Sequence, residues 1–173
     1  MPIIKSAAAT SGDTGSGFTK TYWFVNESTN SALAHVGGAN DTYLLNNSLG
    51  SRSFNHNPES KSALWNPSTN KFEFTSLKVG DLVTVTGNIT FDNLAAQGVD
   101  IFISMAEGTA TAHEHVVNHT YFKTAMTGRE VSFTYPILMH DADAIAGGAR
   151  IRFASAQAAS ISGDTWTAVV TEV

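Results

Sequence analysis

The chain has 173 residues, which suits one domain with a core of its own. Only 14% of these residues are Asp, Glu, Lys or Arg, against roughly 25% in ordinary soluble domains, and the net charge is −5. With 10 basic residues, no cysteine and no apolar run long enough to span a bilayer, we expect no nucleic-acid partner, no disulfide and no membrane association.

The amino-terminal region differs in composition from the rest of the chain. Residues 6–17, SAAATSGDTGSG, are small, polar and glycine-rich, so they bury too little apolar surface to offset the entropy of ordering. We therefore predict a flexible arm over 1–17 and a single β domain over 18–173. The aromatic and β-branched run Thr21–Val25 predicts the first strand. Residues 33–58 are rich in Asn, Ser and Gly, and we predict a mostly irregular segment there.

The best-patterned part of the chain is 63–173. Trp65–Phe72 predicts a strand, a turn and a second strand, with Asn66-Pro67 opening the turn. Phe74 and Phe72 alternate with Glu73, so both rings should face the core.

The next strand is predicted over Leu82–Phe91, where Val83 and Val85 share one face. Gly87 interrupts this alternation, so we predict a β-bulge at that position. Further along, Val99–Met105 places every second residue, all of them apolar, on one face. The remaining predicted strands are His113–Thr124, Glu130–Leu138, Ala149–Ala154 and Thr165–Val173. Short strands separated by turn signals are typical of a sandwich or barrel, so the predicted fold class is all-β.

Histidines are the most conspicuous chemical feature. His113 and His115 lie two apart on a predicted strand and share a face, as two zinc ligands would, and His119 would complete a set if a bend intervened. The alternatives are a strand face lined with neutral imidazoles and a pH-sensitive contact. No acidic residue is placed to act as a general base. We therefore favour no metal site, no catalytic residue and no cofactor.

Two other groups of residues are weaker candidates for sites. The run His140–Asp143 lacks the oxygen-rich loop and closing Glu of a calcium site, and a solvated loop is the better interpretation. Trp23, Trp65 and Trp166 could stack on a sugar, with Trp23 and Trp65 kept as weak candidates, although their positions in apolar strands favour a core role for at least two of the three. No nucleophile motif precedes a helix, so we expect no enzyme.

The stretch from Leu64 to Val173, about two-thirds of the chain, resembles a domain of virion structural and tail-fibre-like proteins of tailed bacteriophages, notably marine ones. The resemblance rests on three segments, which are LWNPSTNKFEFTSLKVGDLVTV (64–85), VDIFISMAEG (99–108) and ARIRFASAQAASISGDTWTAVVTEV (149–173). It implies an antiparallel jelly-roll-like β-sandwich that is often trimeric on a phage particle, and it implies no catalytic residues.

The resemblance and the composition lead to one preferred function and two alternatives. The preferred function is a non-enzymatic capsid decoration (cement) or head-appendage (head fibre) subunit. It would be a homotrimer made in the bacterial cytoplasm, located on the virion surface and bound to the major capsid protein or another virion protein. The first alternative is a glycan-binding receptor module of a tail. The second is a zinc-dependent hydrolase built on the histidine strand.

Overall fold

The computed structural model describes residues 20–28, 33–35, 38–43, 52–56, 64–66, 68–92 and 95–173, and it describes side chains from residue 64 onward, apart from 162–164. The predicted arm over 1–17 lies outside these residues. The first strands are β1 (Lys20–Ser28), β2 (Leu33–His35), β3 (Gly38–Tyr43), β4 (Arg52–His56), β5 (Trp65–Asn66) and β6 (Lys71–Phe72). They are followed by β7 (Leu82–Asp92), β8 (Gln97–Met105), β9 (His113–Phe122), β10 (Arg129–Leu138), the helix α1 (Ala142–Gly147), β11 (Ala149–Ser155) and β12 (Ala159–Glu172).

These strands form two antiparallel sheets. Sheet 1 has the order β10-β7-β12-β1-β4, with β2 also pairing with β12. Sheet 2 has the order β5-β6-β11-β8-β9, with β3 pairing with the same side of β11 as β6. Four strands of sheet 1, β10-β7-β12-β1, face β9-β8-β11 and the β3/β6 position of sheet 2. This strand order, β10-β7-β12-β1 in one sheet and β9-β8-β11-β3 in the other, is that of a jelly roll, and the predicted all-β sandwich is confirmed.

The core lies between the sheets, and the residues that form it occupy every second position along the strands. In β8, Val99, Ile101 and Ile103 are fully buried, as predicted, and the alternate residues of β7, β11 and β12 meet them. The two sheets touch through aromatic rings: Phe91 of β7 lies 5.3 Å from Phe153 of β11 between ring centroids, in an edge-to-face arrangement. Side chains therefore fill the interior of the described sandwich.

Gly87 does not form the predicted bulge. The pairing of β7 with β10 and β12 continues without a shift through Gly87, which lies opposite Phe133 and Trp166. A Cβ atom at Gly87 would lie 2.5 Å from Cζ of Phe133 and 2.9 Å from the carbonyl oxygen of Thr165. The glycine is needed because the Phe133 ring lies over the strand, and its close approach leaves the alternation intact.

Two further expectations are corrected. The segment 33–58, predicted to be mostly irregular, contains β2, β3 and β4, because backbone pairing with β12, β11 and β1 outweighs the weak strand propensity of Asn, Ser and Gly. The run His140–Asp143, predicted to be a solvated loop, leads into the short helix α1. Asp141 caps this helix, and its Oδ1 accepts a hydrogen bond from the amide of Ala144 at 2.8 Å. Among the described residues no helix has the length and apolar character needed to cross a membrane.

The two ends of the sandwich differ in what they carry. At one end, here called the proximal end, β1 and β7 begin and β10 and β12 end, since Lys20 pairs with Glu172 and Leu82 with Leu138. At the other, the distal end, β7 and β9 end and β8 begins, since Gln97 pairs with Phe122. The segment that precedes β1 is therefore joined to the domain at the proximal end.

Candidate functional site on the outer face of sheet 2

The outer face of sheet 2 carries most of the described polar side chains that interact across strands. Residues directly opposite one another in β11, β8 and β9 form rows on this face. From the proximal to the distal end, the rows are Arg150–Ser104–Glu114, Arg152–Phe102–Val116 and Ala154–Asp100–His119, followed by the pair Gly98–Tyr121. The face thus changes from ion-paired side chains at the proximal end to small and aromatic ones at the distal end.

The proximal rows are occupied by ion pairs. Nη1 of Arg152 donates to Oε1 of Glu114, which also accepts a hydrogen bond from the hydroxyl of Ser104 at 2.9 Å. Arg150 pairs with Glu107 in the loop after β8. Burial lowers the pKa of the Arg152 guanidinium from its usual value, since desolvation disfavours the charged form. Each arginine on this face is thus engaged by a carboxylate, and the rows serve to hold β8, β9 and β11 together.

An open cleft lies on the distal rows of this face. Its volume is about 300 Å³, and the described residues that line it are Gly98, Asp100, Ala154, Ser155 and Ala156. A Cβ atom on Gly98 would lie 3.4 Å from Cε1 of His119 and 3.9 Å from Cδ2 of Tyr121, so both rings lie beside this glycine. Tyr121 is 65% exposed. The cleft is therefore lined mainly by small residues, and the exposed ring of Tyr121 lies beside one of them, Gly98.

The His119 ring lies beside this cleft, away from His113 and His115, the two residues that the sequence pattern groups with it as candidate zinc ligands. Its Nδ1 is hydrogen-bonded to Oδ1 of Asp100. The register of β9 against β8 shifts between Val116 and Asn118, so that Val117 is an extra residue in the strand. This bulge reverses the alternation, and it places His119 on the outer face while His113 and His115 lie on the inner one. A strictly alternating strand would have put all three on one face.

His113 and His115 instead lie at the margin of the core near the proximal end. Their rings are 5.0 Å apart, and the ring of His115 lies 5.5 Å from that of Tyr135 on β10. Nδ1 of His113 donates to the carbonyl oxygen of Thr111 at 2.7 Å. His140 lies 6.3 Å from His113 between ring centroids, and its Nε2 is 3.2 Å from Oδ2 of Asp141. Among the described residues no group of three or more His, Cys, Asp or Glu is arranged to hold a metal ion.

The tryptophan candidates have different outcomes. Trp65 is 7% exposed and packs edge-on against Phe72, with Trp166 5.8 Å away, so its ring is part of the core and leaves little surface for a sugar. Trp166 is also buried, which confirms the expectation that at least two of the three tryptophans belong to the core. Trp23 pairs with Val169 through its backbone, and its side chain lies outside the described part.

Sequence reasoning missed the residues of the cleft. Tyr121 and Asp100 carry no motif, and Gly98 falls just before the predicted strand Val99–Met105. The one available signal was the alternation of His119 and Tyr121 on a predicted strand, which places both on one face whatever precedes them.

Comparisons with known proteins do not assign the chain to a family. No protein-family model matches the chain, and no curated protein matches it. Among solved structures, the chain is similar to one described as "Cyanophage Pam1 capsid asymmetric unit", with 16% sequence identity over 99% of this chain and 98% of that chain. The TM-score is 0.29, which is too low to establish a shared fold.

Proposed function

We propose that this chain is a non-enzymatic structural subunit of a bacteriophage particle, a capsid decoration or head-appendage protein that assembles as a homotrimer. Three observations support the proposal. The segments within 64–173 resemble virion structural domains, the strand order is that of a jelly roll, and apolar side chains of both sheets form one buried core. Jelly rolls occur in viral capsid proteins and in lectins.

The strongest support for the proposal is a set of three exposed apolar residues on neighbouring segments at the proximal end, here called the apolar cluster. Val79, Leu138 and Val173 are 57%, 51% and 80% exposed, and their segments converge on Asp81. The backbone amide of Met139, next to Leu138, donates to the carbonyl oxygen of Asp81, and the amide of Val173 donates to its carboxylate. Exposed apolar side chains grouped in this way mark interaction surfaces.

The amino-terminal segment joins the domain beside this cluster, because β1 begins opposite Glu172. We infer that the proximal end, with the segment 1–19, contacts neighbouring subunits and the particle. The distal end of the sandwich then points away from the particle. A trimer would remove the apolar cluster from water and cover strand edges that a lone sandwich exposes.

The location is tested by electron cryomicroscopy and protein mass spectrometry of virions that encode the chain. Density at repeating positions on the head lattice, contacted through the proximal end, is the expected result. Density at the tail tip would replace the decoration role by that of a receptor-binding module. Absence of the chain from purified virions would contradict any structural role in the particle.

The assembly is tested by light scattering on the purified chain. We expect a trimer, which the double variant Val79→Ser/Leu138→Ser shifts towards monomer. The matched control is Val116→Ser, since Val116 is 58% exposed but lies on the outer face of sheet 2. A wild-type monomer at every concentration, or equal effects of the variant and the control, would contradict the proposal.

A further inference from the structure

We propose that the distal cleft on the outer face of sheet 2 is a binding site for a neutral saccharide. The cleft is the one lined by Gly98, Asp100, Ala154, Ser155 and Ala156, with the rings of His119 and Tyr121 beside Gly98. This inference goes beyond the structural role proposed above, and it is tested on the isolated chain without any particle.

The shape of the cleft suits a single sugar ring. Small-molecule sites are concave, run upward from roughly 300 Å³, and combine apolar surface with a few placed polar groups. The cleft, at about 300 Å³, stands at the lower end of that range. Its space exists because Gly98, Ala154 and Ala156 carry almost no side chain, whereas the preceding row of the same face carries Arg152 and Phe102.

An aromatic ring lies beside Gly98, one of the residues that line the cleft. Tyr121 is 65% exposed although it belongs to a regular strand, and it lies directly opposite Gly98. A tyrosine has an apolar ring and a polar hydroxyl, so it can cover the C–H face of a pyranose and also hydrogen-bond to it. The absence of a side chain on Gly98 leaves this ring accessible from the cleft.

A hydrogen bond orients the polar groups at the cleft. It joins Nδ1 of His119 to Oδ1 of the Asp100 carboxylate. An ionised carboxylate only accepts hydrogen bonds, so Nδ1 of His119 donates to Asp100, and Nε2 is the ring nitrogen left for a ligand. Oδ2 of Asp100 and Nε2 of His119 are then two polar atoms on neighbouring strands, which suits the adjacent hydroxyl groups of a sugar.

The charges around the cleft favour a neutral ligand. An anionic sugar would meet the Asp100 carboxylate, and the nearest arginine in the rows, Arg152, is paired with Glu114. An uncharged polyol satisfies the acceptors without an ion pair.

The experiment is saturation-transfer NMR on the purified chain with glucose, galactose, mannose and N-acetylglucosamine, each at millimolar concentration. We expect transfer to at least one of these sugars. Tyr121→Ala should weaken binding by about tenfold or more, and Tyr121→Phe should retain most of it. Asp100→Asn should weaken binding, and Ala154→Leu should abolish it by filling the cleft without removing a polar group.

Two controls accompany these variants. Val116→Ser changes an exposed apolar residue on the same strand and face, and it should leave sugar binding unchanged. Thermal unfolding of each variant verifies that the domain is folded. The proposal is overturned if none of these sugars receives transfer, or if Tyr121→Ala leaves transfer unchanged. It is also overturned if Tyr121→Ala lowers the mass measured by light scattering, since the cleft would then be a contact between copies.

Discussion

The carboxylate of Asp81 binds the backbone amide of Val173, 92 positions away, with Oδ1 at 3.2 Å from the nitrogen. Its other oxygen accepts a hydrogen bond from the amide of Lys78 at 2.9 Å, and the residue is 1% exposed. A buried carboxylate with both oxygens bonded to backbone amides joins the turn before β7 to the end of β12. One side chain thus joins the two backbone segments that carry Val79 and Val173 of the apolar cluster.

We predict that Asp81→Ala destabilises the protein by about 2 kcal/mol, because two backbone donors lose a buried acceptor. Asp81→Asn keeps one oxygen and should cost about half as much. Urea denaturation measures both, and the exposed Glu130→Ala on the edge strand β10 serves as a control that should change stability by less than about 0.5 kcal/mol. Equal stability of Asp81→Ala and wild type would mean that these bonds contribute nothing.

We predict that Gly87→Ala destabilises the protein by about 1–3 kcal/mol through overpacking against Phe133 and the Thr165 carbonyl oxygen. Phe133→Leu in the same chain should recover part of that loss, because the nearest clash is with the far end of the ring. The comparison is Gly98→Ala, where the nearest atom to a new Cβ is 3.4 Å away and a small effect is expected. Thermal unfolding of the three variants and the double variant measures these differences, and equal stability of Gly87→Ala and Gly98→Ala would contradict the prediction.

Much of the fold was predictable because a half-buried strand has a short period. Val99, Ile101 and Ile103 occupy every second position, with Asp100 and Phe102 between them, and this period predicted their common face. Gly87 was misjudged for a physical reason. In sequence a glycine within a strand indicates either a bulge or a close approach, and only the position of Phe133 distinguishes the two.

The candidate site was less predictable because it depends on register and on contacts between distant segments. The extra residue Val117 reverses the face of every later residue of β9, and nothing in the sequence around it signals a bulge. The strands between 33 and 56 are likewise set by pairing with β1, β11 and β12, which local composition does not encode.

We predict an energetic coupling between Phe91 and Phe153, whose edge-to-face contact joins the two sheets. A double-mutant cycle with both residues changed to Leu should give a coupling energy of about 0.5–1.5 kcal/mol in urea denaturation. A second cycle combining Phe153→Leu with Ile137→Val should be additive. Ile137 pairs with Val83, which lies roughly 25 Å along β7 from Phe91. Additivity in the first cycle would show that the ring contact contributes no free energy of unfolding beyond the burial of each ring.

We predict that His113, His115 and His119 do not bind zinc together, because the bulge at Val117 places His119 on the opposite face from the other two. Elemental analysis of the protein purified without chelators should find no stoichiometric zinc. In calorimetric titrations with zinc, His119→Ala should behave as the wild type does, whatever weak binding His113 and His115 retain. Stoichiometric zinc that is lost in both His115→Ala and His119→Ala would require the two rings to share one face. Such a result would contradict the register shift between Ile101 and Phe102, and with it the assignment of His119 to the cleft.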